Sequence, residues 1–107
     1  MADTFRILAQ IYPDSRVLAT AFTAVKASVI SSVVACNQST EETTIRISVA
    51  KNGEADASKQ YLYYELPVPK NDSFTYTIGE TLAIGDQIRV QSANGRVSFN
   101  VFGVEVV

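Results

Sequence analysis

The second half of the chain alternates apolar and polar residues with a period of two, and this periodicity constrains the fold more than any other feature. In residues 43–50, TTIRISVA, isoleucine and valine alternate with threonine, arginine and serine. Residues 74–78 and 88–91 alternate in the same way. Because successive side chains of a β-strand point to opposite faces, this pattern predicts half-buried strands. The segments are also rich in β-branched and aromatic residues, which favour strands.

Turn-forming residues separate these segments. The sequence Pro-Asp-Ser at 13–15 suits a type I turn, in which proline supplies a fixed φ. The sequence Asn-Gly at 94–95 lies between two alternating runs and predicts a type I′ hairpin. Pro67 and Pro69 are expected to end the strand that begins at Tyr61, because proline donates no hydrogen bond to a sheet.

The predicted elements define a fold class. Residues 17–25 fit either helix or strand, whereas the β-branched residues of 27–36 predict a central strand that ends at Asn37. Seven or eight short strands at this spacing predict an all-β protein, a single small antiparallel β-sandwich that is jelly-roll-like. We expect residues 1–15 to form an N-terminal arm or a first strand, and residues 16–107 to form the sandwich domain.

The last predicted strand has apolar residues on both faces. The two sets are Val97, Phe99 and Val101 on one face, then Phe102, Val104 and Val106 on the other. A β-bulge near Phe102 or Gly103 would explain the change. Alternatively, both faces are buried, one of them against another subunit. Because symmetric assembly hides such a surface, the pattern predicts a homo-oligomer, with a trimer as the first expectation.

Tyrosines are concentrated in the strand before Pro67. Strict alternation places Tyr61 and Tyr63 opposite to Tyr64, so at least one face carries tyrosine beyond the core. These side chains could pack in the core, anchor a protein interface or stack on sugar rings. We predict a subunit contact formed by Tyr61, Tyr63, Phe102, Val104 and Val106.

Catalytic constellations are poorly represented. The chain has no histidine to act as a base for its serines or for its single cysteine, Cys36, which is interpreted as a buried structural thiol. Glu65 with Glu80 or Asp86 is the remaining candidate carboxylate pair. Oxygen side chains at every second position of 52–56 suggest a calcium loop, but a flexible polar loop explains them better. We therefore expect no enzyme activity, no catalytic residues, no metal and no cofactor.

Charge and hydropathy narrow the range of partners. Nine basic and eleven acidic residues give a net charge of −2, and the basic residues are evenly spread, so we expect no binding to nucleic acid. No stretch approaches the ~20 apolar residues of a membrane span. The N-terminal sequence lacks the features of a signal peptide, which predicts synthesis in a reducing cytoplasm.

The order of these strands and turns resembles a family of small structural proteins of tailed bacteriophages, especially phages of cyanobacteria. The resemblance covers residues 27–106. The elements that carry it are Val33-Val34 with Cys36-Asn37, the strand from Ile45 to Val49, the segment from Tyr61 to Pro69, Asn71-Asp72, Thr81-Leu82 followed by Gly85-Asp86, and the ending from Ser98 to Gly103.

The resemblance implies a virion protein without catalytic residues. Such proteins belong to the surface of the particle, as head decoration or as part of the neck, tail, baseplate or fibre, and their partners are other virion proteins. We therefore expect synthesis in the host cytoplasm and a final location in the virion. The alternative is a carbohydrate- or receptor-binding module used in host adhesion.

Overall fold

Antiparallel strands form more than half of the structure, a computed structural model that describes residues 4–77 and 79–106, without the side chains of Thr4 and Phe5. The predicted strand residue Ile78 lies outside the described residues. The described part contains no α-helix, and two short 3-10 turns, Lys51–Gly53 and Ser58–Gln60, lie between strands. The strands are β1 (Thr4–Ile11), β2 (Ala19–Thr23), β3 (Ser28–Asn37), β4 (Thr43–Ala50), β5 (Tyr61–Val68), β6 (Ser73–Tyr76), β7 (Glu80–Leu82), β8 (Gln87–Ser92) and β9 (Val97–Glu105).

The strands form two facing sheets with the order of a jelly roll. Sheet A has the order β1-β9-β3-β6, with β7 also paired to β3, and sheet B has the order β2-β8-β4-β5. Because β6 and β7 lie along the same strand, they fill one position, and the sandwich has eight positions. Consecutive strands cross between the sheets except at the β4–β5 hairpin and within the β6–β7 pair. The all-β, jelly-roll-like prediction is confirmed. Residues 4–11 form the edge strand of sheet A and pair with β9.

The core lies between the inner faces of the two sheets. Ile30, Val33, Ile45, Ile47 and Phe99 are fully buried there. The strand predicted at 43–50 is β4, and its alternation is confirmed, since both of its isoleucines are buried and Val49 also packs against the core. Ser48, on the outer face of the same strand, is fully buried as well. No helix in the described part of the chain is long and apolar enough to span a membrane.

The two apolar faces of β9 arise without a bulge in β9 itself. Its residues alternate regularly between buried and half-buried positions from Val97 to Glu105. The bulges lie instead in its two neighbours, where Leu8 of β1 and Ser31 of β3 are extra residues. The bulge considered near Phe102 or Gly103 therefore lies in the two neighbouring strands, opposite these residues, and not in β9. At the end of β9 the inward positions are occupied by Gly103 and by Glu105, which forms an ion pair with Arg6. The apolar residues of this segment therefore lie on the outer face.

Gly103 lies where both neighbouring strands bulge towards β9. A Cβ atom at this position would overlap the carbonyl oxygen of Val29, and it would lie 3.1 Å from Cα of Ile30 and 3.0 Å from Cδ1 of Leu8. The close backbone approach, and not an unusual φ, is what requires glycine here.

Two predicted turns differ from the structure. The first turn runs from Asp14 to Val17, whose N–H donates to the Asp14 carbonyl oxygen, and Arg16 has a φ of 59°. The predicted hairpin at 94–95 is wrong, because β8 and β9 belong to different sheets. Asn94 instead donates from its side chain to Oγ of Ser39 and bends the crossover between the sheets.

Asn37 joins the loops at the same end of the sandwich. Its side chain is fully buried, and its Nδ2 donates to the carbonyl oxygens of Glu41, Val68 and Pro69. Its Oδ1 accepts from the backbone N–H and the hydroxyl of Ser39. Two connections, β3–β4 and β5–β6, are therefore fixed by one residue, which the sequence had placed only at the end of a strand.

Candidate functional site

The outer face of sheet A is apolar at the end where β1 begins and β9 ends. Phe102 and Val104 are half-buried there, and Val106 is 40% exposed. Ile7 of β1 pairs with Phe102 and is 53% exposed. Three of the five predicted contact residues thus share one surface with Ile7, and we call Ile7, Phe102, Val104 and Val106 the sheet A patch. Their assignment to a subunit contact stays a prediction.

The other two predicted contact residues lie on β5 and face opposite ways. Tyr63 packs against the core, with ring centroids 5.0 Å from Phe74 and 5.2 Å from Tyr76. Tyr61 instead meets Tyr64 edge to face at 5.2 Å. The expectation that Tyr61 and Tyr63 share a face is therefore wrong. Two register shifts between β4 and β5 break the strict alternation on which it rested.

The register shift between Ile45 and Ile47 of β4 creates a cluster of polar and aromatic groups on the outer face of sheet B. Between the pairs Ile45–Leu66 and Ile47–Tyr63, two residues of β5, Tyr64 and Glu65, lie opposite the single residue Arg46. Glu65 has a φ of 56°, a left-handed conformation that costs a non-glycine residue about 1–3 kcal/mol. This conformation turns Tyr64 and Glu65 towards the same arginine.

Arg46 is the centre of this cluster. Its Nη2 donates to Oε1 of Glu65 at 2.7 Å, and its Cζ lies 4.2 Å from the centroid of the Tyr64 ring. The hydroxyl of Thr44 donates to the other oxygen of Glu65 at 2.9 Å. The hydrogen bonds from Arg46 and Thr44 hold the pKa of Glu65 below its usual value, and the bond to Glu65 raises the pKa of Arg46. We call Arg46, Tyr61, Tyr64 and Glu65 the sheet B cluster.

A cleft of about 380 Å³ lies beside this cluster and is lined by Ser58, Tyr61 and Tyr64. The hydroxyl of Tyr61 donates to Oδ1 of Asp56 at 2.8 Å at this site. Burial, together with that hydrogen bond, raises the pKa of Tyr61. The cleft thus has an aromatic wall and polar atoms along its margin.

Two buried polar atoms of β4 near the cluster have no hydrogen-bond partner within the described residues. They are Nε of Arg46 and Oγ of Ser48, the residue paired with Tyr61. Each such atom costs about 1–3 kcal/mol in a protein interior. Together with the strained Glu65, they mark this face as one where local stability is not maximised, a property typical of functional sites.

The candidate acidic residues are engaged in separate structural contacts. Glu65 pairs with Arg46, whereas Glu80 accepts a hydrogen bond from the Tyr76 hydroxyl at 2.8 Å. Asp86 accepts from the backbone N–H groups of Asn52 and Ala83, which lower its pKa.

Glu80 and Asp86 line one cleft of about 250 Å³, but Glu65 does not line it. Within residues 4–77 and 79–106, no group of three or more acidic or cysteine side chains is arranged to hold a metal ion. In the suggested calcium loop, Asp56 is occupied by Tyr61, and Glu54 lies 3.9 Å from the amine of Lys59.

Cys36 lies on the outer face of sheet A. It is half-buried and pairs with Ser73 and Ser98 across the sheet. The interpretation of a buried thiol is therefore corrected to a half-buried one.

Comparison with known proteins gives no identity. No protein-family model matches the chain, and no curated protein matches it.

Proposed function

We propose that the chain is a non-enzymatic structural protein of a bacteriophage particle, and that its copies assemble through the outer face of sheet A. The sheet A patch is the observation that carries this proposal. Phe102 and Val104 lie on the outward row of the central strand β9, Val106 directly follows the end of that strand, and Ile7 adjoins it on the edge strand. Apolar rows of this kind are typical of interfaces, because water is excluded from both partners when they meet.

The architecture supports the same proposal. The jelly roll is an architecture of viral capsid domains, and the resemblance of residues 27–106 is to structural proteins of tailed phages. Fold alone does not determine function, so the argument rests on the patch and on the order of the matching segments. The partners in this proposal are further copies of the chain and other proteins at the particle surface.

The structure of β1 favours contact between subunits through the outer face of sheet A over strand pairing along the sheet edge. β1 is an edge strand, but its register is interrupted by the extra residue Leu8. Bulges of this kind disfavour edge-to-edge pairing. A face-to-face contact of standard size would bury about 800 Å² per subunit. A trimer, in which each copy presents the same patch around an axis, remains our first expectation.

The proposal is tested by measuring the solution mass of the purified protein by light scattering after size exclusion. We expect the wild type to form a discrete oligomer. Phe102→Asp should yield a folded monomer, because a carboxylate placed in an apolar contact loses its hydration. Val17→Asp is the matched control, since Val17 is 48% exposed and lies in the loop before β2 at the other end of the sandwich.

Ile7→Asp probes the same patch without touching the core, because Ile7 is already 53% exposed. It keeps the test decisive if Phe102→Asp does not fold. A wild-type monomer at high concentration would refute assembly through this patch, and so would an unchanged mass in the Ile7→Asp variant.

A further inference from the structure

The sheet B cluster holds an exposed aromatic ring in a fixed orientation. Tyr64 is 62% exposed to solvent. The guanidinium of Arg46 covers its ring at 4.2 Å from the centroid, and Tyr61 meets it with an interplanar angle of 88°. Because these contacts restrict the ring, a ligand that stacks on its free surface loses little additional side-chain entropy on binding.

The support beneath the ring is itself fixed. Arg46 is held by Glu65 at 2.7 Å, and Glu65 is held by Thr44 at 2.9 Å. The left-handed φ of Glu65 and the two register shifts of β5 are what place these groups together. In a regular strand the cluster would not form, because Tyr64 would not lie against Arg46 beside Tyr61.

The chemistry around the ring restricts the ligand class. The charge of Arg46 is balanced by Glu65, so the site has no free cation among these residues to attract a phosphate. The adjoining cleft of about 380 Å³ offers the hydroxyls of Ser58 and Tyr61, and the carboxylate of Asp56 accepts from Tyr61. Neutral hydroxyl-rich molecules with one apolar face match this combination of stacking surface and polar margin.

We propose that the outer face of sheet B binds neutral carbohydrate, with a pyranose ring stacked on Tyr64 and its hydroxyls directed to the polar groups of the cleft. The C–H groups on one face of a pyranose are attracted to the electron-rich face of an aromatic ring. The cleft volume lies in the range of small-molecule sites and accommodates one or two sugar rings. This site is on the opposite sheet from the sheet A patch and does not depend on assembly through it.

The test is a titration of the full chain with methyl glycosides of glucose, galactose, mannose and N-acetylglucosamine, in which binding is measured by ligand-observed NMR. We expect at least one glycoside to bind with a Kd of about 1–10 mM. Tyr64→Ala should weaken that binding at least about tenfold, whereas Tyr64→Phe should retain it because the ring remains.

Tyr12→Ala is the matched control. Tyr12 is 51% exposed, and it lines a different cleft with Gln10 and Asn100. Absence of binding by all four glycosides at about 10 mM would overturn the proposal. Equal loss in the Tyr12 and Tyr64 variants would also overturn it. Because the solution mass is measured separately, failure of carbohydrate binding and failure of assembly are distinguishable.

Discussion

Gly103→Ala tests whether the two bulges flanking β9 set the packing of sheet A. The new methyl group would overlap the carbonyl oxygen of Val29 and lie 3.1 Å from Cα of Ile30. Both atoms belong to the backbone of the central strand β3, so they cannot move aside as a flexible side chain would. Overpacking of this kind costs about 1–3 kcal/mol, while the loss of glycine's freedom in the unfolded chain returns about 0.4–1 kcal/mol. Because the overlap is with backbone atoms, we expect the upper end of the first range, about 3 kcal/mol, and therefore a net loss of about 2 kcal/mol.

Gly79→Ala is the matched control, because a Cβ at Gly79 would meet no atom within 4 Å among the described residues other than its chain neighbours. Urea denaturation, monitored by circular dichroism, gives the free energy of unfolding of both variants and the wild type. At about 4 °C per kcal/mol for a domain of this size, Gly103→Ala should also lower Tm by about 8 °C. If both variants unfold within about 0.5 kcal/mol of each other, the close approach of β3 to β9 does not constrain this position, and the reasoning is refuted.

Two further predictions concern the loops at the ends of the sandwich. Asn37→Ala removes a buried donor shared by three carbonyl groups and should lower the free energy of unfolding by about 2–3 kcal/mol, measured in urea. Asn100→Ala, which loses one exposed hydrogen bond, should cost less than about 0.5 kcal/mol, and equal losses would contradict the role of Asn37. Because backbone N–H groups lower the pKa of Asp86, its contribution to stability is present above the ordinary carboxyl pKa and is lost as pH falls through the folded value. The free energy of unfolding of Asp86→Asn should therefore change less with pH between about 5 and 2 than that of the wild type. An equal pH dependence of the two proteins would contradict this.

The sequence predicted the strands where burial imposes a period of two. β4 begins and ends where the alternation of residues 43–50 begins and ends, and β3 ends at Asn37 as expected. These segments are predictable because each side chain is either inside or outside the sandwich, and a shift by one residue would expose the whole apolar set. The enrichment of these segments in β-branched and aromatic residues also predicted the all-β class.

The sequence did not predict which strands pair. The Asn-Gly sequence at 94–95 favours a hairpin locally, yet the strands on either side belong to different sheets. Side-chain contacts of Asn94 with Ser39, 55 residues earlier, replace the local turn. Local turn preference is worth little compared with the burial gained when β9 joins β1 and β3.

The candidate sites were predicted only in part. Phe102 and Val104 share an outer face, as their alternation indicated, because β9 is regular from Val97 to Glu105, and Val106 directly follows it. The sheet B cluster was missed as a unit, because its register depends on extra residues in β5 and on the left-handed φ of Glu65. The several tyrosines near Pro67 were the only signal in the sequence, and they did not reveal that Arg46 would lie against Tyr64.

The sequence by itself determined the fold class, the positions of the main strands and the apolar row at the end of β9. These properties follow from the period of side chains along a single strand, which requires no knowledge of a neighbour. Tertiary structure decided the jelly-roll order, the bulges around Gly103 and the assembly of the sheet B cluster. Each of these depends on register between strands distant in sequence, and register is fixed by the packing of the whole sandwich.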